Sequence, residues 1–162
     1  MIPAKEPPNV SLKVLCLKII AMTKRVAQKV AELWRLHRAQ RFIFKIAMRE
    51  ELPGDLRDLC GKGYLIASLY MNEISAIYNH LKSPVEDDLL QFPAEEIAGL
   101  FEIPRKTSAE HLIRYLMHKQ YKLLKKYTRL LDHFEKTETN RVLKDHIFVL
   151  ERLTEKLKTA TD

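Results

Sequence analysis

The sequence predicts an all-α fold: an antiparallel four-helix bundle with an extra N-terminal helical segment and a short helix in the connection 84–106. Three observations carry this. Gly is scarce, 4 in 162 residues, so the turn clusters that separate strands are missing. Apolar residues recur at three- and four-residue steps along several long stretches. Pro and short polar segments separate those stretches. With 46% hydrophobic and 30% charged residues the chain belongs to the globular class. Its length suits one domain over residues 11–162, behind a flexible tail of residues 1–10 that carries Pro3, Pro7 and Pro8.

From Ser11 to about Glu50 no Gly or Pro interrupts the pattern, and Val26, Val30, Leu33, Leu36, Ile43, Ile46 and Ala47 drift in phase as on a straight helix. Forty residues would span about 60 Å at ~1.5 Å per residue. That is long for such a domain, so a break is expected near Ala21–Lys24 before the turn at Pro53–Gly54. The second helix is expected from about Asp55 to Lys82, with Cys60, Gly63, Ala67, Tyr70, Ile74, Ile77 and Leu81 as its stripe. Gly63 and Ala67 should admit a close neighbour. Ser83–Pro84 ends this helix, and a short helix over Ala94–Phe101 is expected before the third.

The third helix opens on Thr107 and Glu110, which have capping-box spacing. Its stripe is Ile113, Leu116, Gln120, Leu123, Tyr127, Leu130 and Phe134. A polar turn at Thr137–Asn140 leads into a fourth helix on Leu143, His146, Leu150, Leu153 and Leu157. So short a turn implies antiparallel neighbours.

Cys16 and Cys60 form no zinc-type cluster and read as reduced, buried thiols, with a disulfide between them as the alternative. No secretory cleavage pattern follows Val14–Met22, and the apolar run Leu65–Met71, interrupted only by Ser68, is too short to span a bilayer. A cytoplasmic protein is the expectation.

Bundles often house metals. A ferritin-like di-iron site needs Glu-x-x-His on two helices, and no Glu in the chain has a His three residues on. None of the six His has a partner at hemerythrin-type spacing either. A ferritin-like bundle with most metal ligands absent is the third reading, and no metal or other cofactor is expected. Four polar residues mark the candidate core site: Gln120 and His146 on adjacent core stripes, His37 near the first, and Glu73 bordering the second. They read as a ligand or proton-transfer site, or as a buried Gln–His pair that fixes register. His111 and His118 share a solvent-facing line. The nucleophile-elbow, Walker and dinucleotide-binding motifs are all missing, which makes a catalytic role the lesser expectation.

Charge is segregated. Residues 11–50 carry ten Lys/Arg against two Glu, residues 51–104 three against ten acidic residues, and residues 105–162 fourteen against eight. These blocks either neutralise one another within the fold or present basic faces to a partner. Lys24, Arg25, Lys29, Arg35, Arg38, Arg41, Lys45 and Arg49 are the candidates for binding nucleic acid or another anion, with Trp34, Phe42 and Phe44 interleaved among them. Residues 94–112, with an Ile-Ala pair, Ile103-Pro104 and a capped following helix, resemble a helix-turn-helix. They depart from it at Glu102, where the turn Gly is usual, and at Ser108 and His111, where apolar residues pack.

Leu12, Leu15, Ile19 and Met22 form one apolar face of the N-terminal segment. It either folds back on its own domain or meets a partner, another chain or a membrane surface. The expected function is therefore a non-catalytic bundle acting through a protein partner or homo-oligomer. A basic nucleic-acid-binding helical protein is the alternative, and integral membrane insertion is not expected.

Overall fold

The computed structural model describes residues 12–81 and 108–162. The expected tail, the short helix at 94–101, Thr107 and most of the helix-turn-helix-like stretch lie outside them. Four helices account for the described chain: α1 (Leu12–Ala47), α2 (Gly54–Leu81), α3 (Ala109–Leu131) and α4 (Glu138–Thr159).

The expected break near Ala21–Lys24 is absent, and α1 is one continuous helix of 36 residues. Nothing in the sequence there opposes helix: there is no Gly or Pro, and the Thr23 hydroxyl donates back to the Ile19 carbonyl at 3.0 Å. The N-terminal segment is therefore the first turns of α1 rather than a separate element.

The two later helices begin on side-chain caps. Ser108, not Thr107, caps α3: its hydroxyl accepts from the His111 N–H at 3.3 Å. Thr137 caps α4 by accepting from the Asn140 N–H at 3.2 Å, so Thr137–Asn140 is a cap and first turn. The reversal itself occupies Asp132–Lys136, where Lys136 takes a left-handed φ of 57°.

Contacts fix the helix directions. His37 of α1 touches the Tyr70 ring of α2, Phe44 faces Gly63, and Met48 faces Gly61. Lys29 reaches His133 just beyond α3, and His37 reaches Tyr127. Along α4, Asn140 bonds the Leu131 carbonyl and His146 bonds Tyr127 and Glu73. Rising numbers on one helix meet falling numbers on its neighbour, so α1 runs opposite to α2 and α3, and α4 opposite to both. The ends of α2 and α3 that residues 82–107 join therefore lie at opposite ends of the bundle.

The apolar interior falls into two clusters. One contains Val26–Leu33 positions of α1 with Tyr70, Ile74, Tyr78, Leu123–Leu130, Leu143 and Leu150. The other contains Ile43, Phe44, Ala47, Leu56, Cys60, Leu112–Leu116, Leu153 and Leu157. The α3 and α4 stripes are buried throughout. On α2 the line turns, burying Tyr78 while Ile77 and Leu81 sit part-way out. On α1 the buried line after Leu33 is His37, Gln40, Phe44 and Ala47, not Leu36 and Ile46. Phe42 is exposed, Trp34 packs at the core margin and Phe44 is central. Both cysteines are free, but Cys16 is exposed rather than buried.

Phe44 lays its ring over Gly63, where an added Cβ would sit 2.3 Å from the ring. Gly61 is different: a Cβ there meets only Met48 Sδ, at 3.6 Å. Gly61→Ala should therefore raise stability by ~0.5–1 kcal/mol through helix propensity. Gly63→Ala gains the same propensity but displaces a buried ring, a cost of about 1–3 kcal/mol, and should lower the urea midpoint. Phe44→Leu in the Gly63→Ala background should recover part of that loss.

Candidate functional site

Each helix contributes one polar side chain to a line that leads into the bundle, and the four join end to end. The Glu73 carboxylate of α2 bonds His146 Nε2 of α4. His146 Nδ1 meets the Tyr127 hydroxyl of α3 at 2.8 Å, and that hydroxyl meets His37 Nε2 of α1 at 2.6 Å. Tyr70 packs flat on the His146 ring, 3.6 Å between centroids and 9° from parallel, and meets His37 edge-on. His37 and Tyr127 are fully buried and His146 nearly so, whereas the Glu73 side chain is 42% exposed. The line therefore leads from the surface to the centre of the core.

The direction of every proton in it follows from the exposed end. A carboxylate only accepts, so His146 Nε2 carries the hydrogen. A neutral imidazole then has a bare Nδ1, so the Tyr127 O–H donates to it. The Tyr127 oxygen is left to accept, so His37 Nε2–H donates. His37 Nδ1 is thereby a bare acceptor, and it has no hydrogen-bond partner.

Electrostatics favour this neutral form. Burial, helped by the nearby His146, holds the His37 imidazole down at about 3. Burial also lowers His146, against the opposing pull of Glu73 and Asp145. Burial raises the Tyr127 phenol well above its ordinary value and, with Glu73 and Asp145, pushes Tyr70 up to about 12. Burial alone lifts the Cys60 thiol to about 11, so it is no nucleophile at neutral pH.

Of the four expected core residues, three are brought together: Glu73, His146 and His37. The Gln120–His146 bond does not form. His146 spends both ring nitrogens on Glu73 and Tyr127, while neither amide atom of Gln120 has a partner. Tyr127, the centre of the line, and Tyr70 stood in the predicted stripes as apolar residues. Gln40 was not singled out, although it is 3% exposed and its amide too is unpartnered. Its signal was the three-residue step from His37.

The basic candidates spread around α1. Lys29 bonds His133 at 2.8 Å, Arg38 stacks on Trp34 at 5.5 Å, and Lys24 and Arg35 are also engaged. Arg25, Lys45 and Arg49 are exposed, and Arg41 is half-buried. Leu12, Leu15, Ile19 and Met22 are exposed, from 50% at Leu15 to 80% at Leu12. His111 and His118 face solvent. Among the described residues no three His, Cys, Asp or Glu converge to hold a metal ion, and no helix is long and apolar enough to cross a membrane. No family model, curated protein or solved structure matches the chain.

Two outcomes follow. Tyr127→Phe leaves a buried N–H and a buried nitrogen lone pair without partners, and at ~1–3 kcal/mol for each such group it should cost about 2–6 kcal/mol in chemical denaturation. The pH dependence has a definite sign. Above the ordinary value of 6.5 both His are neutral folded or unfolded. Below it the unfolded chain takes up protons that the folded core refuses, so stability falls as pH drops from 6.5 towards about 3. Denaturation midpoints across that range should show the fall, and a His37→Phe variant that folds should show a shallower one.

Proposed function

We propose that this protein acts by association, through the N-terminal turns of α1, and that the surface covering them is the same segment of a second copy. The observation behind the proposal is the exposure of Leu12, Val14, Leu15, Leu17, Ile19, Ile20 and Met22 on a formed helix. At ~1.5 Å per residue the 36 residues of α1 span about 54 Å, against about 35 Å for the 23 residues of α3. The apolar turns are the overhang.

Two features favour another helix of the same kind over a flat surface. Apolar residues surround the segment, with Lys13 and Lys18 the only charges between Leu12 and Met22. A helix apolar on all sides suits enclosure by other helices, whereas a membrane-surface helix has one strongly charged face. In addition, Leu12, Leu15, Ile19, Met22 and Val26 continue the core line of Val30, Leu33 and His37 at three- and four-residue steps. A two-fold pairing matches that line with itself.

Light scattering should find the full chain dimeric or larger at micromolar concentration. Leu15→Glu with Ile19→Glu should give a monomer with unchanged helical content. A wild-type monomer over the same concentrations would rule the reading out.

A second reading rests on Arg38, Arg41, Lys45 and Arg49, which recur at steps of three and four along α1. A phosphate backbone tracking this line would release counterions, and affinity for duplex DNA or RNA would fall steeply with salt. Binding insensitive to salt, or unchanged in an Arg41→Glu, Lys45→Glu variant, would dismiss it.

A further inference from the structure

The two apolar clusters do not meet along α1 and α3. On α1 one ends at Leu33 and the other begins at Ile43; on α3 one ends at Leu116 and the other begins at Leu123. His37 and Gln40 occupy the first gap, and Gln120 the second. Because α1 and α3 run in opposite directions, with Glu32 on Lys126 and His37 on Tyr127, Gln120 falls opposite residues 38–44 of α1, so it faces Gln40, and His37 lies about one turn away. Across from them the buried positions of α2 between Cys60 and Tyr70 are Gly63 and Ala67, both without bulk. In this stretch His37 Nδ1, both amide atoms of Gln40 and both of Gln120 lack partners, and the three side chains are 0%, 3% and 1% exposed.

Five polar atoms sealed from solvent within about two turns of the bundle call for hydrogen-bond partners. We propose that His37, Gln40 and Gln120 enclose a site for internal water, held between α1 and α3. The chemistry selects the ligand. The line from Glu73 leaves His37 Nδ1 as an acceptor, so the occupant donates to it. The two amides offer both donors and acceptors, so the occupant does both. None of the three side chains carries a charge to offset a buried ion. A neutral molecule of water size making about three hydrogen bonds meets every condition. The groups facing His37 are Tyr127, Tyr70 and His146, with Glu73 and Asp145 beyond, and through them the bound water is joined to solvent at Glu73.

Magnetic relaxation dispersion of deuterium and oxygen-17 on the full chain counts waters that stay longer than the molecule tumbles. The wild type should hold at least about one, and Gln120→Met, which keeps the volume and removes the polar atoms, should lower the count by about one per chain. Tyr121→Phe, on the exposed side of α3, should leave it unchanged. Should Gln120→Met not fold, nitrogen-15 spectra of wild-type histidines decide: His37 must show a protonated Nε2 and a bare Nδ1, with water cross-peaks to the Gln40 and Gln120 amide protons. A wild type without long-lived water, a His37 protonated at Nδ1 at neutral pH, or stoichiometric metal lost in His37→Phe would each overturn the assignment.

Discussion

The Tyr127 hydroxyl is the atom on which the interior depends. A phenol can give one hydrogen and accept another, and here it does both, towards imidazoles on two different helices. Without it, a buried nitrogen lone pair on His146 and a buried N–H on His37 would have nothing to bond, and burial of unpaired polar groups is what folded proteins avoid most consistently. The carboxylate at the outer end settles the orientation of everything inward of it. A half-exposed Glu on α2 thus decides which nitrogen of a His on α1 is bare. That reach across four helices comes from geometry, since each link is a short bond with only one available polarity.

This arrangement distinguishes the bundle from one filled with Leu. Apolar contacts tolerate sliding and rotation, because neighbouring side chains of similar size can exchange places. A chain of directed bonds tolerates neither. A shift of one turn between α3 and α4 would separate Tyr127 from His146, and rotation of α1 would withdraw His37. The fit of the Phe44 ring on Gly63 sets the α1–α2 pair by shape, and the polar line sets the other pairs by bonding. The Glu32–Lys126 pair at 2.7 Å, nearly half exposed on both sides, can add little to this. Polar residues that specify packing at a cost in stability are known from coiled coils, and the same logic fits here.

The helices were legible in the sequence in proportion to how one-sided they are. On α3 and α4 the polar and apolar faces separate cleanly, and every stripe residue is buried. On α1 apolar residues occur on several faces, so periodicity alone could not fix the phase. The reading that followed Leu36 and Ile46 missed the line through His37 and Gln40. The expected break failed for a related reason: it rested on length, while no residue near Ala21–Lys24 opposes helix. The site was half legible. Polar residues on apolar stripes pointed to Gln120, His146, His37 and Glu73, but a Tyr is apolar to a pattern count and polar to a neighbour. Only packing shows which end of Tyr127 matters. The pairing of Gln120 with His146 went astray because adjacency of stripes does not give their level along the bundle.

The long first helix and the polar layer answer one question in opposite ways. Along a single line of α1, the chain places Leu12, Leu15, Ile19 and Met22 in solvent, Val26, Val30 and Leu33 in an apolar core, and His37 and Gln40 in a polar layer. One helical repeat thus serves three environments. In the core the line is covered by α2 and α3, and in the polar layer by groups able to bond it. At the N-terminal end the described helices stop short, leaving apolar residues where α1 continues alone. Continuity of the repeat argues that this end is built to be covered in the same manner as the core, by helices that meet it at three- and four-residue steps. A second copy carries such a helix with the same spacing, so the proposed self-association would draw on the pattern that builds the fold and need no separate motif.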